Sequence, residues 1–167
     1  CPATVFESLR SAEAVAILKR LKVAVPDVPN TQRHAVMRAV FEQLDAVLRD
    51  HDVAYVKWDM NRNHVQASGS DGAAGTRAQT LAFYALLDAL RERHPTVEFE
   101  SCASGGARID HEVLRRAERV WTSDCNDALE RQTIQWGASM LIPFELMGAH
   151  IGPSRSHTTG RVHSLAF

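Results

Sequence analysis

Tyr55-Val56-Lys57-Trp58-Asp59-Met60-Asn61-Arg62 is the stretch on which the fold turns. An apolar run over residues 53–56 leads into it and gives way to packed charge. That is the pattern of a buried strand which ends by presenting polar side chains at its C-terminal edge. Lys57 and Asp59 stand two apart, so on a strand both project to the same side. A neighbouring cation favours the ionised form of an Asp, and an ionised, positioned carboxylate is a candidate nucleophile. A surface salt bridge at a strand end accounts for the same residues with no chemistry.

Upstream, Val36, Val40, Leu44, Val47 and Leu48 recur at helical spacing behind Thr31, which has the chemistry of an N-cap. Arg49-Asp50-His51-Asp52 closes that helix, and a strand over 53–57 starts at once. Helix, tight turn and buried strand form half of a parallel α/β unit. Earlier still, residues 12–21 have an amphipathic helical pattern, and Val23-Ala24-Val25 is a short apolar run broken by Pro26 and Pro29.

Downstream, the polar, Gly-rich residues 68–72 predict a loop. A helix is predicted over about 76–93, with Phe83, Leu86, Leu87 and Leu90 inward and His94-Pro95 as its stop. A strand over 97–100 delivers Ser101-Cys102-Ala103-Ser104-Gly105-Gly106 at its C-terminal edge. A short helix near 113–117 and a strand over 120–122 then lead to Ser123-Asp124-Cys125-Asn126-Asp127. The next helix spans about 127–139, with Asp127 and Glu130 suited to its positive N-terminus and Trp136 read as core. Residues 156–161 read as a polar loop.

Helix, strand and polar cluster therefore recur as a unit, and the expected fold class is α/β. Polar clusters at the carboxyl ends of successive parallel strands are where (β/α)₈ barrels place active sites. A doubly wound sheet uses its carboxyl edge too, but concentrates the ligand at one switch point. Three adjacent loops carry chemistry here, which favours the barrel.

Composition bounds the partners. The chain has 167 residues, 45% of them hydrophobic and 23% charged, enough to bury a sizeable core in one domain. A formal net charge of -1 gives no electrostatic pull toward nucleic acid or an anionic membrane. No apolar run approaches the roughly 18 residues of a membrane span. Cys1, Cys102 and Cys125 make an odd count without metal-ligand spacing, which suggests free thiols in a reducing, cytoplasmic compartment. The histidines form no HExxH pattern, and neither a metal nor a cofactor is expected. The chain opens on Cys1-Pro2 and closes on the strand-like Ser164-Leu165-Ala166-Phe167, so a piece of a longer enzyme is expected.

Asp59 and Asp124 dominate the chemistry. Two carboxyls about 5–5.5 Å apart serve a retaining glycosidase, and about 6.5–9.5 Å an inverting one. Asp59 has Lys57 and Arg62 close in sequence. Asp124, between Ser123 and Cys125, has no adjacent cation, which suits a general acid. Asp124 is equally a candidate helix N-cap. Gly105-Gly106 permit close approach of backbone to a ligand, or form a simple turn. Trp58 and Trp121 flank the carboxylates, as sugar platforms or as core. His150 and His157 read as structural histidines.

Five motifs now stand in order. They are Lys57-Trp58-Asp59-Met60-Asn61-Arg62, Cys102-Ala103-Ser104-Gly105-Gly106-Ala107-Arg108, Trp121-Thr122-Ser123-Asp124-Cys125-Asn126-Asp127-Ala128-Leu129-Glu130-Arg131, Met147-Gly148-Ala149-His150, and His157-Thr158-Thr159-Gly160-Arg161. Over about residues 35–167 the chain resembles the family 36 glycoside hydrolases, the bacterial α-galactosidases of raffinose and melibiose breakdown.

The resemblance implies a retaining double displacement on a (β/α)₈ barrel. Residues 1–167 would be an incomplete catalytic barrel, roughly strands three or four to eight, without the family's N- and C-terminal β domains, and inactive in isolation. It assigns Asp59 as nucleophile and Asp124 as acid/base. Lys57 and Asn61 would bind sugar hydroxyls, and Cys102 and Gly105 would line the galactose pocket, with Trp58 and Trp121 beside them. The implied partner is an α-galactoside oligosaccharide, and the complete protein is expected to be a homo-oligomer. A galactosyl transferase of the same clan and a non-catalytic sugar-binding remnant are the alternatives.

Overall fold

The computed structural model describes residues 30–61, 68 and 72–164, with the backbone alone over 30–35. The helix expected over 12–21, the apolar run at Val23-Ala24-Val25 and Arg62 lie outside the described residues. Among those described, the order is α1 (Asn30–Asp50), β1 (Tyr55–Asp59), α2 (Thr76–Arg93), β2 (Glu98–Cys102), α3 (His111–Leu114), β3 (Arg119–Trp121), α4 (Ala128–Ser139), a 3₁₀ turn (Phe144–Leu146) and β4 (Met147–Gly148). The strands form one four-stranded sheet in the order β1-β2-β3-β4. β2 pairs in parallel with β3, placing Glu100 opposite Arg119 and Ser101 opposite Val120. β3 pairs in parallel with β4, placing Val120 opposite Met147 and Trp121 opposite Gly148. With helices between the longer strands, this is the α/β class expected.

The chain divides into two compact units, Cys1–Val56 with Met60–Phe99, and Lys57–Asp59 with Glu100–Phe167. In the first, α1 packs on α2. Val40, Leu44 and Leu48 are buried at four-residue steps, so α1 turns one apolar stripe inward. Val36 and Val47, expected with them, are half-buried. α1 already includes Thr31, one residue inside the helix rather than at its cap. α2 spans the expected residues and buries Leu86, Leu87 and Leu90. Tyr84 is buried where Phe83 was expected, and Phe83 is half-buried. The His94 N–H bonds Leu90 O at 2.8 Å, and Pro95 stops the helix.

Both long strands start later than their apolar residues suggest. β1 begins at Tyr55 rather than at residue 53, because the turn with Val53 N–H on His51 O occupies the first residues of the run. β2 runs from Glu98 to Cys102, so Ser101 and Cys102 lie inside the strand rather than beyond its edge. Ladder pairing sets a strand's extent, and Ser101 stays there because its buried hydroxyl donates to Arg108 O at 3.1 Å.

In the second unit the core is Cys102, Val113, Ala117, Val120, Trp121, Ile142 and Met147. Asp110 caps α3, accepting Val113 N–H at 2.8 Å. α3 is a single turn over residues 111–114, earlier than the 113–117 expected. Asp127 caps α4, accepting from Leu129 and Glu130 N–H. Trp136, read from sequence as core, is 63% exposed. Five residues at about 100° each place it roughly 140° around α4 from the buried Arg131, which occupies the inward face.

Candidate functional site

The site is built at the carboxyl ends of the strands. The bond from Glu98 N–H to Ala54 O, 3.0 Å long, sets the register of β1 against β2. In the parallel pattern an N–H reaches the carbonyl of the residue before its opposite number. Tyr55 then stands opposite Glu98, Lys57 opposite Glu100, and Asp59 opposite Cys102. Side-chain contacts agree with that register. Lys57 Nζ lies 2.9 Å from Glu100 Oε1. The Cys102 thiol is hydrogen-bonded to the Asp59 side chain.

Glu100 is the residue that sequence reading passed over. Its side chain is 3% exposed, and a buried carboxylate needs a cation. Lys57 supplies it, so this lysine is engaged with Glu100 beside the nucleophile candidate. The same ammonium lies 3.8 Å from the centre of the Trp121 ring. Gly148 closes over the pair: a Cβ there would stand 2.8 Å from Glu100 Oε2 and 3.2 Å from Trp121 Cε3. The signal in sequence was weak but present. Glu100 follows Phe99 in a strand and shares its side with the chemistry-bearing Cys102.

Asp59 is exposed at the tip of β1, beside the buried Cys102. Burial pushes the Cys102 thiol up to about 11, and its hydrogen bond to Asp59 adds to the rise. At neutral pH the thiol is therefore protonated and donates S–H to the carboxylate. Burial draws the Arg108 guanidinium below its ordinary value, opposed by the charges of Cys102 and Asp59. Arg108 thus adds positive potential near Asp59, a part that only the tertiary fold reveals.

Asp124 stands three residues beyond β3 and is exposed. It is not a helix cap; Asp127 holds that place. Trp121 Nε1–H donates to Asp124 Oδ1 at 2.9 Å. Trp121 itself is only 2% exposed, with the His150 ring stacked on it at 4.1 Å and the Arg131 guanidinium 4.6 Å from its centre. Its contact with the site runs through the indole N–H rather than through an open ring face. Burial, and then the Lys57 charge, hold His150 below the ordinary histidine range.

Gly105 adopts φ +78°, and a Cβ on it would meet Ser123 Cα at 2.9 Å and Asp124 N at 3.0 Å. The glycine permits a close backbone approach, as expected, but the partner is the backbone that carries Asp124. Trp58 is half-buried, and alternation along β1 sends it to the opposite side from Lys57 and Asp59. Asn61 is exposed just past β1 and belongs to the first compact unit. His157 is exposed in the loop.

That loop is anchored from below. Thr159 Oγ1–H donates to Asp127 Oδ2. Arg161 Nη1 reaches Asp127 Oδ1 at 3.3 Å and Glu130 Oε1 at 2.7 Å, and His163 Nε2 lies 3.2 Å from Asp127. The Thr159 hydrogen bond holds the Asp127 carboxyl well below the usual range, outweighing burial together with His163 and the helix N–H groups.

Fold and site together define a parallel α/β domain that presents two carboxylates at the carboxyl edge of its sheet. The melibiase family model matches residues 15–167, and the chain belongs to that family. The match reaches further toward the N-terminus than the resemblance read from the motifs, which covers about residues 35–167. The chain is 61% identical over 128 residues to an α-galactosidase of Escherichia coli, covering 77% of this chain and 18% of that protein. Among solved structures, a variant of the family 36 α-galactosidase AgaA from Geobacillus stearothermophilus, crystallised in complex with raffinose, superimposes with a TM-score of 0.77 at 32% identity, over 90% of this chain and 23% of that one. The galactosidase domain of the α-galactosidase-sucrose kinase AgaSK gives a TM-score of 0.71 at 37% identity, over 79% of this chain and 18% of that one. The chain spans about a fifth of the length of these relatives.

Proposed function

We propose that these residues form part of the catalytic (β/α)₈ barrel of a retaining α-galactosidase, with Asp59 as nucleophile and Asp124 as acid/base. One observation carries the reading: both carboxylates are exposed at the carboxyl ends of β1 and β3 within a single compact unit. With β2 between them, β1 and β3 run roughly 10 Å apart, two strand spacings. Side chains reaching inward from such strands can close to the approximately 5–5.5 Å of a retaining pair. Strand order that follows chain order favours a barrel, since a doubly wound sheet reverses its order at a switch point. On this reading the 167 residues are roughly strands three or four to eight of the barrel, with β1 to β4 as the four strands among the described residues.

In the first step Asp59 attacks the anomeric carbon as Asp124 gives its proton to the leaving oxygen. A galactosyl ester on Asp59 results. Asp124, now a carboxylate, takes a proton from water; the hydroxide adds to the anomeric carbon, and Asp59 leaves with its electron pair. Lys57 and Asn61 bind sugar hydroxyls, and Cys102 lines the pocket while donating to Asp59. The substrates are terminal α-galactosyl groups of melibiose- and raffinose-type oligosaccharides. Raffinose and stachyose in the crystals of AgaA variants support that class. The complete protein is a cytoplasmic homo-oligomer, a compartment in which free thiols such as Cys102 and Cys125 persist. The 167 residues alone, a fifth of the length of their relatives, show little or no hydrolysis.

The test is Asp59→Ala in the complete open reading frame that carries this sequence. Hydrolysis of an aryl α-galactoside falls by about three decades or more and is partly restored by azide. An unchanged rate removes the nucleophile assignment. Supplying sucrose as acceptor separates hydrolysis from galactosyl transfer by the products formed.

A further inference from the structure

An exposed carboxyl with two free torsions holds no fixed orientation unless neighbours impose one. Asp124 is exposed, yet its setting is built from buried parts. Trp121 Nε1–H donates to Oδ1 at 2.9 Å. Since Oδ1 accepts that bond, the proton of the neutral acid sits on Oδ2, the oxygen free to face a leaving group. Once the proton is given away, the same N–H stabilises the carboxylate that remains.

The indole is fixed in turn by Arg131. This arginine is buried, at 9% exposure, and no other described Arg or Lys is as enclosed. Its guanidinium lies against the Trp121 ring and donates to three places: Ser123 O at 2.7 Å, Gly148 O at 3.0 Å and Gln135 Oε1 at 3.1 Å. Ser123 is the residue before Asp124, so one bond grips the backbone that carries the acid. The Gly148 bond ties α4 to β4, and the Gln135 bond, one turn along α4, orients the guanidinium. Gln135 also accepts from Thr122 Oγ1 at 2.7 Å, one residue further back. From the other direction Gly105 packs on Ser123 Cα and Asp124 N. The corner cannot shift without breaking several of these contacts together.

We propose that Trp121 and Arg131 are positioning residues for the acid/base. The indole selects the Asp124 oxygen that carries the proton, and the guanidinium holds the strand end from which both side chains project. This rests on the reading of Asp124 as acid/base. Its consequence is selective. A sugar leaving group needs the proton, whereas a dinitrophenolate leaves without it.

The experiment compares kcat/KM for raffinose and for a dinitrophenyl α-galactoside on the same preparation of the complete enzyme, so that the ratio is independent of the fraction folded. Trp121→Phe lowers the raffinose value about tenfold to a hundredfold and leaves the dinitrophenyl value within about threefold. Arg131→Lys, which keeps the charge and loses the fork, moves the ratio the same way. Gln135→Ala, at a half-exposed position on α4, gives a smaller shift in that direction and stands in where the other two fail to fold. Asp124→Ala sets the full scale of the change. Ratios that stay at the parent value in the variants while Asp124→Ala shifts its own overturn the positioning role alone. A parent-like ratio in Asp124→Ala overturns the acid/base reading and the positioning role with it.

Discussion

Asp45 and Glu100 each gather cations, and the two clusters do different work. Asp45 on α1 meets Arg49 at 3.4 Å, Arg93 at 3.2 Å and His94 Nε2 at 2.9 Å, and so staples one helix to the end of the next. Its arginines are long, mobile side chains, with Arg93 62% exposed. Glu100 has Lys57 as its close cation, is almost fully buried, and lies at the carboxyl end of the sheet beneath the two catalytic candidates. Solvated, redundant pairs contribute little each, whereas a buried carboxylate depends on its partner. The same chemistry is thus structural in one unit and sets the electrostatics of the site in the other.

Breaking the second cluster gives the largest effect. Lys57→Met leaves Glu100 buried without its ammonium, at a cost of about 3 kcal/mol in local stability. Hydrogen exchange of peptides over residues 98–102 reads this directly, and activity falls with it. Lys57→Met combined with Glu100→Gln recovers most of the protection but not the activity, because the charge pattern beside Asp59 is gone. Recovery of both would make the pair as dispensable as a surface bridge and erase the contrast.

The first cluster should respond less, and through pH. Burial alone would raise Asp45, but the His94 hydrogen bond and the Arg93 charge outweigh it and hold its carboxyl below the ordinary 3.8. A lowered folded-state value stabilises the fold above the ordinary value, and that contribution fades as pH falls through the folded one. Asp45→Asn therefore weakens the packing of α1 on α2 at neutral pH, and the gap from the parent closes below about pH 4. A gap that widens in acid would reverse the sign and the account. Arg93→Ala weakens the packing less than Asp45→Asn and with the same pH dependence, since the His94 hydrogen bond remains.

The smallest effect concerns thiol access. Cys102 is buried and protonated, while Cys125 is half-buried on the loop beside Asp124. Alkylation at pH 8, followed by mass spectrometry, modifies Cys125 well before Cys102. The reverse order would mean that the strand ends open more readily than the contacts around Glu100 imply.

Periodicity made α2 legible from residue 76 to 93, because an apolar stripe and a Pro stop are local signals. Asp59 and Asp124 were legible for a related reason: each follows an apolar run that ends in polar residues. Strand limits were less so, since ladder partners decide where β1 and β2 begin, and those partners lie some forty residues apart. Trp136 was misplaced because hydrophobicity alone does not tell which side of α4 faces inward. The buried Arg131 takes that side, held by three acceptors that no local pattern announces.

The sequence by itself determined the α/β class, the order of the elements, the family and the placing of Asp59 and Asp124 after apolar runs, for these are properties of short stretches and their spacing. Tertiary structure alone decided that Lys57 answers to Glu100, that Gly105 yields to the backbone of Asp124, and that Trp121 bonds the Asp124 carboxyl while Arg131 grips the Ser123 carbonyl before it. Hydrogen bonds and charge pairs act over a few ångströms in space, and folding brings together residues that the chain keeps far apart.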